Sequence, residues 1–241
     1  MKPRPILKYI ISSFFALFSL LLTGQTNLQK DSIIYKKNYG LRVGIDLSKP
    51  VISLINNEFK GYELVGDYRM KKNLYLAAEL GYVNKTSQED NFNYTTEGTY
   101  INLGININAF KNWLEMENEL YYGARYGFST FSQTLNNYTI FQNGTLTNNL
   151  SAAYFEPRTV QANTNFNSLN AHWLAFVLGI KAETFKNLYL GLNISFNKLI
   201  YTKEPTNFKN LYIPGFNKVY ATNSSVSFNY CISYRIPLYK K

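Results

Sequence analysis

The chain has 241 residues, a formal net charge of +10 at pH 7, one cysteine and one histidine. A single cysteine excludes an intramolecular disulfide framework, and one cysteine with one histidine cannot form a structural zinc site. The mean hydropathy is −0.23. No apolar run of about 18 residues follows the N-terminal segment, which excludes membrane-spanning helices but not strands.

The first residues predict a targeting segment. Lys2, Arg4 and Lys8 form a positively charged start, residues 9–22 are apolar, and small residues precede a cleavage site near Gly24. We therefore expect a signal peptide at 1–24, a polar periplasmic lead-in at 25–38 and one domain at 39–241. Export and the dispersed basic residues both argue against a nucleic-acid partner.

Eight stretches alternate apolar and polar residues with the period of two that is typical of β-strands. They cover residues 39–48, 61–70, 74–83, 99–109, 114–129, 173–184, 188–199 and 226–238. In the last stretch Phe228, Tyr234 and Ile236 share one face, whereas Asn229 and Arg235 share the other. An apolar face backed by small and polar residues indicates a strand of a membrane-spanning barrel, in which the last strand pairs with the first.

The connections support this interpretation. The turn at 71–73 has the odd length that its flanking strands require and pairs Arg69 with Tyr75, while the turn at 111–112 has the required even length. Short connections alternate with long ones, of which 131–171 and 202–223 are the longest. The predicted fold is all-β: an eight-stranded antiparallel transmembrane up-and-down β-barrel with a side-chain-filled lumen, short periplasmic turns and long extracellular loops.

Three segments carry a resemblance to a known family: YGLRVGIDLSKP (39–50), KNLYLAAELGY (72–82) and NLYIPGFNK (210–218). They resemble an uncharacterised family of small outer-membrane proteins from Bacteroidota-type Gram-negative bacteria. The resemblance implies a bacterial outer-membrane location, with both termini in the periplasm, and an eight-stranded barrel similar in architecture to OmpA and OmpX. It implies no activity and no catalytic residues.

Many residues predicted to point inward are charged. They are Arg42, Asp46, Glu63, Asp67, Arg69, Glu79, Glu115, Glu117, Glu119, Arg125, Lys181, Glu183 and Arg235. The interior of an eight-stranded barrel is just wide enough to be filled by side chains, so we expect a salt-bridged plug. The alternative is a narrow gated ion path or a cation site at Glu115, Glu117 and Glu119, which the predicted register places opposite Asn108, Asn106 and Gly104.

His172 is predicted at the outer rim of the barrel. Some eight-stranded barrels are lipid A acylases or deacylases with His and Ser near the outer leaflet, which makes a lipid A-modifying enzyme an alternative. However, neither Ser168 nor Ser195 gives a His-x-Ser spacing, and no carboxylate is placed to orient the ring. We therefore expect no catalytic residue, no cofactor and no metal site.

The two longest predicted loops contain aromatic side chains that neither lipid nor lumen explains. The candidate contacts are Phe141, Tyr154, Phe155, Phe208, Tyr212 and Phe216. These side chains either pack on one another as a lid or contact a partner. The leading hypothesis is a non-enzymatic barrel, embedded in outer-membrane lipid, that presents its extracellular loops to a protein partner as an accessory subunit of an outer-membrane assembly. The alternatives are the lipid A-modifying enzyme and a small passive pore.

Overall fold

Eight antiparallel strands close into a ring in the computed structural model, which describes residues 37–112, 117–140, 158–206 and 208–240. The ring strands are β1 (Asn38–Asp46), β2 (Phe59–Lys71), β3 (Leu74–Gln88), β4 (Phe92–Asn108), β5 (Glu119–Ile140), β6 (Arg158–Phe185), β7 (Leu188–Thr202) and β10 (Ser224–Lys240). They form a closed barrel in the order β1-β10-β7-β6-β5-β4-β3-β2, and β10 pairs with β1 as the sequence predicted.

Two smaller elements complete the described fold. One helix, α1 (Ser48–Ile55), follows β1, and a short hairpin of β8 (Tyr212–Ile213) and β9 (Asn217–Lys218) lies between β7 and β10. The predicted signal peptide and nearly all of the predicted lead-in lie outside the described residues. Among the described residues, no helix has the length and apolar character needed to cross a membrane.

The two faces of the ring differ in polarity as the alternation predicted. On β1, Leu41, Val43 and Ile45 are 41%, 46% and 44% exposed, whereas Arg42 and Asp46 are 3% and 0% exposed. The same alternation continues on β10. Most large aliphatic side chains of the ring therefore lie outside and its ion-paired charges inside, which is the reverse of a water-soluble globular core.

The β2–β3 register agrees with the prediction, because Arg69 lies opposite Tyr75. The β4–β5 register does not: Asn108 lies opposite Tyr121, and Gly104 lies opposite Arg125. The predicted tight turn at 111–112 is thus wrong, and the connection runs from 109 to 118. The predicted and observed registers differ by an even number of residues. Such a shift leaves the paired side chains on their predicted faces, so the odd or even length of the turn could not reveal it.

Asparagine side chains close this longer connection. The Asn112 side chain accepts a hydrogen bond from the Asn118 amide and donates one to the Asn118 carbonyl, both at 2.7 Å. Asn108 Oδ1 accepts from the Phe110 and Leu120 amides at 2.9 and 3.2 Å. These bonds satisfy backbone groups that a two-residue turn would otherwise have paired in the ladder.

The segments predicted as long loops are partly strands. The β3–β4 ladder extends to Gln88 and Asn93, and the β5–β6 ladder extends to Ile140 and Arg158. Both faces of these extensions carry Thr, Asn and Ser, so the apolar–polar alternation that marks a half-buried strand is absent from their sequence. We call the end of the barrel that bears these extensions the loop end, and the opposite end, where β1 begins and β10 ends, the turn end.

Helix α1 was not predicted, because residues 49–60 lie between two predicted strands and include Pro50. Proline is tolerated in the first turn of a helix, where its missing N–H needs no partner. The Ser48 amide donates to Asp46 Oδ1 at 2.9 Å, which satisfies one of the free amides at the helix start. The helix lies at the loop end and brings Lys49 to the carboxylates of Asp46 and Glu63.

Candidate functional site

The interior of the turn end contains a first layer of ion pairs. Glu117 pairs with Arg69 at 3.2 Å and with Arg235, which also pairs with Glu183 at 3.2 Å. Arg69, Arg235 and Glu117 are each at most 5% exposed. Buried charges are tolerated only when they are paired and hydrogen-bonded, and these residues share carboxylate oxygens and amide partners such as Asn187.

A second layer is centred on Arg42. Its guanidinium lies 2.6 Å from Asp67 and 2.7 Å from Glu119, and Lys181 is the second cation on Asp67. The rings of Tyr75 and Tyr189 flank Arg42, each with its centroid 4.9 Å from the guanidinium carbon. The two layers together fill the interior with matched charges and tyrosine rings, which is the arrangement of a plug.

The third layer lies halfway along the barrel. Arg125 pairs with Glu79 at 3.2 Å and donates to the Ile105 carbonyl at 3.0 Å, and Asn102 donates to Glu79 at 2.9 Å. Asn102 Oδ1 has no hydrogen-bond partner among the described residues, although the residue is only 8% exposed.

The fourth layer joins helix α1 to the barrel wall. Lys49 lies 2.7 Å from both Asp46 and Glu63, and Glu63 also accepts hydrogen bonds from Tyr100 and Asn229. Burial lowers the pKa of Lys49, but the carboxylates of Glu63 and Asp46 outweigh it, so that this pKa lies above its ordinary value. The lysine therefore stays charged and fixes α1 to the loop end.

Beside the third and fourth layers the interior opens into a cavity of about 320 Å³, which we call the chamber. Its wall combines ion-paired charges with neutral polar groups and aromatic rings. The polar wall includes Ser48, Asn102, Ser195, Asn197, Ser227 and Asn229, and the ring wall includes Phe59, Tyr100 and Tyr212. The turn end is thus filled, whereas the loop end contains space for a small molecule.

The β8–β9 hairpin covers the chamber. Its turn, Ile213-Pro214-Gly215-Phe216, is a type II turn in which the Phe216 amide donates to the Ile213 carbonyl at 3.1 Å. Gly215 has φ +80°, and a Cβ there would overlap the Tyr100 ring. Ile213 and Phe216 are fully buried, and the Phe216 ring packs edge-on against Trp173 with centroids 5.9 Å apart.

The structure describes three of the six aromatic residues that the sequence predicted as partner contacts, and two of those three are buried. Phe141, Tyr154 and Phe155 lie outside the described residues, as does Glu115 of the predicted charge network. Tyr212 and Phe216 are 4% and 0% exposed, because they pack inside the mouth of the barrel.

Phe208 packs at the loop end against the Phe92 ring at 5.8 Å and the Phe166 ring at 5.7 Å. Phe208, Tyr212 and Phe216 thus pack as the lid that the sequence left open as an alternative, whereas Tyr220 of the same loop is 57% exposed.

The remaining predicted charges lie where the alternation placed them. Arg42, Asp46, Glu63, Asp67, Arg69, Glu79, Glu117, Glu119, Arg125, Lys181, Glu183 and Arg235 all take part in ion pairs inside the ring. Sequence reasoning missed the neutral wall of the chamber and Lys49. The dipeptide Pro214-Gly215, a strong turn signal between apolar residues, could have located the hairpin.

His172 points to the outer face, where the Tyr126 hydroxyl lies 2.6 Å from Nδ1 and the rings of Phe128 and Tyr201 lie alongside. None of these contacts is a serine or a carboxylate. Ser195 lines the chamber on the inner face, so the barrel wall separates it from His172. Across the described ranges, no three His, Cys, Asp or Glu side chains cluster in a way that could hold a metal ion.

Comparison with known proteins places the chain in a family. A family model described as a domain of unknown function, DUF6048, matches residues 6–241. No curated protein matches the chain. Because the family match covers almost the whole sequence, the chain belongs to the DUF6048 family.

Proposed function

We propose that this protein is a non-enzymatic outer-membrane β-barrel that is closed to ion flow and presents the β5–β6 hairpin at its loop end to a protein partner. The observation that carries the membrane part is the apolar outer face. Large apolar side chains on it are exposed on every ring strand, among them Leu64, Leu80, Leu103, Leu178, Ile194 and Phe228. A protein in water rarely exposes so large an apolar surface, and a closed ring leaves no backbone edge unpaired in lipid.

Helix α1 supports the same location. Its Val51, Leu54 and Ile55 side chains are 51%, 85% and 81% exposed, while Lys49 is anchored inside the ring. An apolar helix face at the rim of a barrel fits the interface between lipid and water. Both termini then lie on the periplasmic side, because the turn end carries them and a ring of eight strands returns the chain to its starting side.

The partner part rests on the β5–β6 hairpin. β6 pairs with β7 only from Ala171 onward, so the segment from Arg158 to Leu169 pairs with β5 on one side and, within the described part of the chain, with no strand on the other. An unpaired strand edge is a surface to which other chains add. The hairpin projects beyond the ring, and sealing the lumen does not require this projection. The enzyme and pore alternatives have less support, because the described contacts of His172 include no serine and no carboxylate and the turn end is filled.

The membrane part predicts how the protein behaves on gels and in cell fractions. The folded chain should remain in the outer-membrane fraction after carbonate extraction and should migrate differently before and after boiling, because closed barrels resist dodecyl sulfate. Release into the soluble periplasm would contradict this part of the proposal.

The partner part predicts the effect of shortening the hairpin. Leu135 and Thr164 lie opposite each other, so an Asn-Gly turn can replace residues 136–163 without disturbing the ring. The shortened protein should still insert and keep its heat-dependent migration, but should lose any protein that co-purifies with the full chain. If it captures the same proteins, the hairpin is not the interface.

A further inference from the structure

We propose that the chamber is a binding site for a monosaccharide-sized polyhydroxylated molecule with one anionic group. The inference goes beyond the proposed scaffold function and does not depend on a membrane around the barrel. Ligand pockets in proteins span about 300–1,000 Å³, and the chamber, at about 320 Å³, suits a small ligand.

The chamber can be reached from the loop end. A second pocket of about 260 Å³, the vestibule, lies between α1 and the outer ends of β3 and β4, where it is lined by Glu58, Gln88 and Glu89. The chamber and the vestibule share Asn56, Lys85, Tyr212 and Lys218 in their walls. These shared residues place the vestibule directly beside the chamber, at its solvent side.

The wall of the chamber offers neutral hydrogen-bonding groups. Its carboxylates are already used, since Glu63 is held by Lys49 and Glu79 by Arg125. Ser195 makes no side-chain hydrogen bond within the described chain, and Asn102 Oδ1 is a buried acceptor that lacks a donor. Hydroxyl groups both donate and accept, so a polyol can satisfy such amides and hydroxyls.

Aromatic rings complete the wall. Tyr100 faces the chamber beneath the β8–β9 hairpin, Tyr212 faces it from β8, and Phe59 borders it on the side of α1. The apolar face of a sugar ring can pack on such rings while its hydroxyl groups bond to the polar wall. This combination of rings and convergent neutral polar groups fits a sugar better than it fits a fatty acid or an ion.

Lys85 selects the anionic group. It lies where the chamber meets the vestibule, with its Nζ 4.6 Å from the centroid of the Tyr212 ring, and forms no ion pair in the described part of the chain. The other cations have carboxylates: Lys218 pairs with Glu89 at 3.0 Å, and Lys49 pairs with Glu63. An anion beside Lys85 would supply the counter-charge that Lys218 and Lys49 already have in Glu89 and Glu63.

The test uses the purified full chain and three probes: glucuronate, glucose and acetate. We expect one glucuronate site with a Kd of about 1 mM or tighter by titration calorimetry, and binding of glucose and acetate that is at least about tenfold weaker. Acetate binding equal to glucuronate binding would overturn the polyol part, and the absence of glucuronate binding would overturn the whole proposal.

Two variants place the site. Lys85→Gln should remove the preference for glucuronate over glucose, while Lys60→Gln, on the exposed outer face of β2, should leave both affinities unchanged. Ser195→Leu should narrow the chamber, remove a hydroxyl from its wall and weaken binding of both sugars, with heat-dependent gel migration as the check that the barrel has formed. Unchanged glucuronate binding in either Lys85→Gln or Ser195→Leu would place the ligand elsewhere and contradict the proposal.

Discussion

The turn end and the loop end of the barrel interior are packed in different ways. In the turn end, Arg42, Arg69 and Arg235 pair with carboxylates from strands on several sides of the ring and stack on tyrosine rings. In the loop end, neutral amides and hydroxyls lie between a few ion pairs around a chamber that a hairpin covers. A packed ionic interior resists change, because each charge depends on its partner, whereas a neutral polar wall tolerates change and can accept a ligand.

The largest effect should follow from removing one carboxylate of the turn end. Glu117→Gln would leave Arg69 and Arg235 buried together without their shared counter-ion. We expect a loss of about 3–5 kcal/mol in the free energy of unfolding, measured by urea titration of the folded protein. Glu97→Gln is the control, because Glu97 lies on the exposed outer face, and should cost about 1 kcal/mol or less. Equal losses would remove the distinction between buried and exposed carboxylates.

A smaller effect should follow from overpacking beneath the hairpin. A Cβ at Gly127 would overlap the Trp173 indole, which is fully buried. Gly127→Ala should therefore cost about 1–3 kcal/mol in the same urea titration. At Gly66 the nearest atom to a new Cβ is the Arg42 carbonyl oxygen at 3.5 Å, so Gly66→Ala should be nearly neutral. A neutral Gly127→Ala would show that the loop end relaxes more easily than its packing indicates.

Substitution in the chamber wall should have the least effect on stability. Ser195 faces open space and makes no side-chain hydrogen bond in the described chain. Ser195→Ala should change the free energy of unfolding by no more than about 0.5 kcal/mol. A loss similar to that of Glu117→Gln would mean that the chamber wall is as tightly coupled as the turn end.

Removal of the hairpin should leave conductance unchanged. The Val219 amide donates to the Leu211 carbonyl at 2.9 Å, so an Asn-Gly linker can replace residues 212–218. The chamber would then be open to solvent, but the layers around Glu117 and Arg42 would still fill the turn end. Planar-bilayer recordings should show no steady ohmic current in the shortened protein. A steady current would locate the seal in the hairpin instead.

The sequence predicted the faces of the strands but not the partners across the ring. The alternation on β1 placed Arg42 inside, yet its pairing with Glu119 joins strands that are not neighbours in the ring and depends on the width and tilt of the barrel. Helix α1 and the β8–β9 hairpin escaped prediction because each is short and lacks a long periodic run. Since Lys49, Tyr212 and Gly215 lie on these elements, the chamber could not be found from the strands alone.

The central claim is that lipid covers the apolar outer face, and spin labels on β10 test it most directly. In a Cys231→Ser background, which removes the natural cysteine, single labels at positions 226–238 would be compared in liposomes for collisions with oxygen, which concentrates in lipid, and with a water-soluble nickel chelate. We expect high oxygen and low nickel accessibility at the outward positions, such as 228, 232 and 236, and low values for both reagents at the inward positions 231 and 233. High nickel accessibility at the outward positions would show that this face lies in water and would contradict the account.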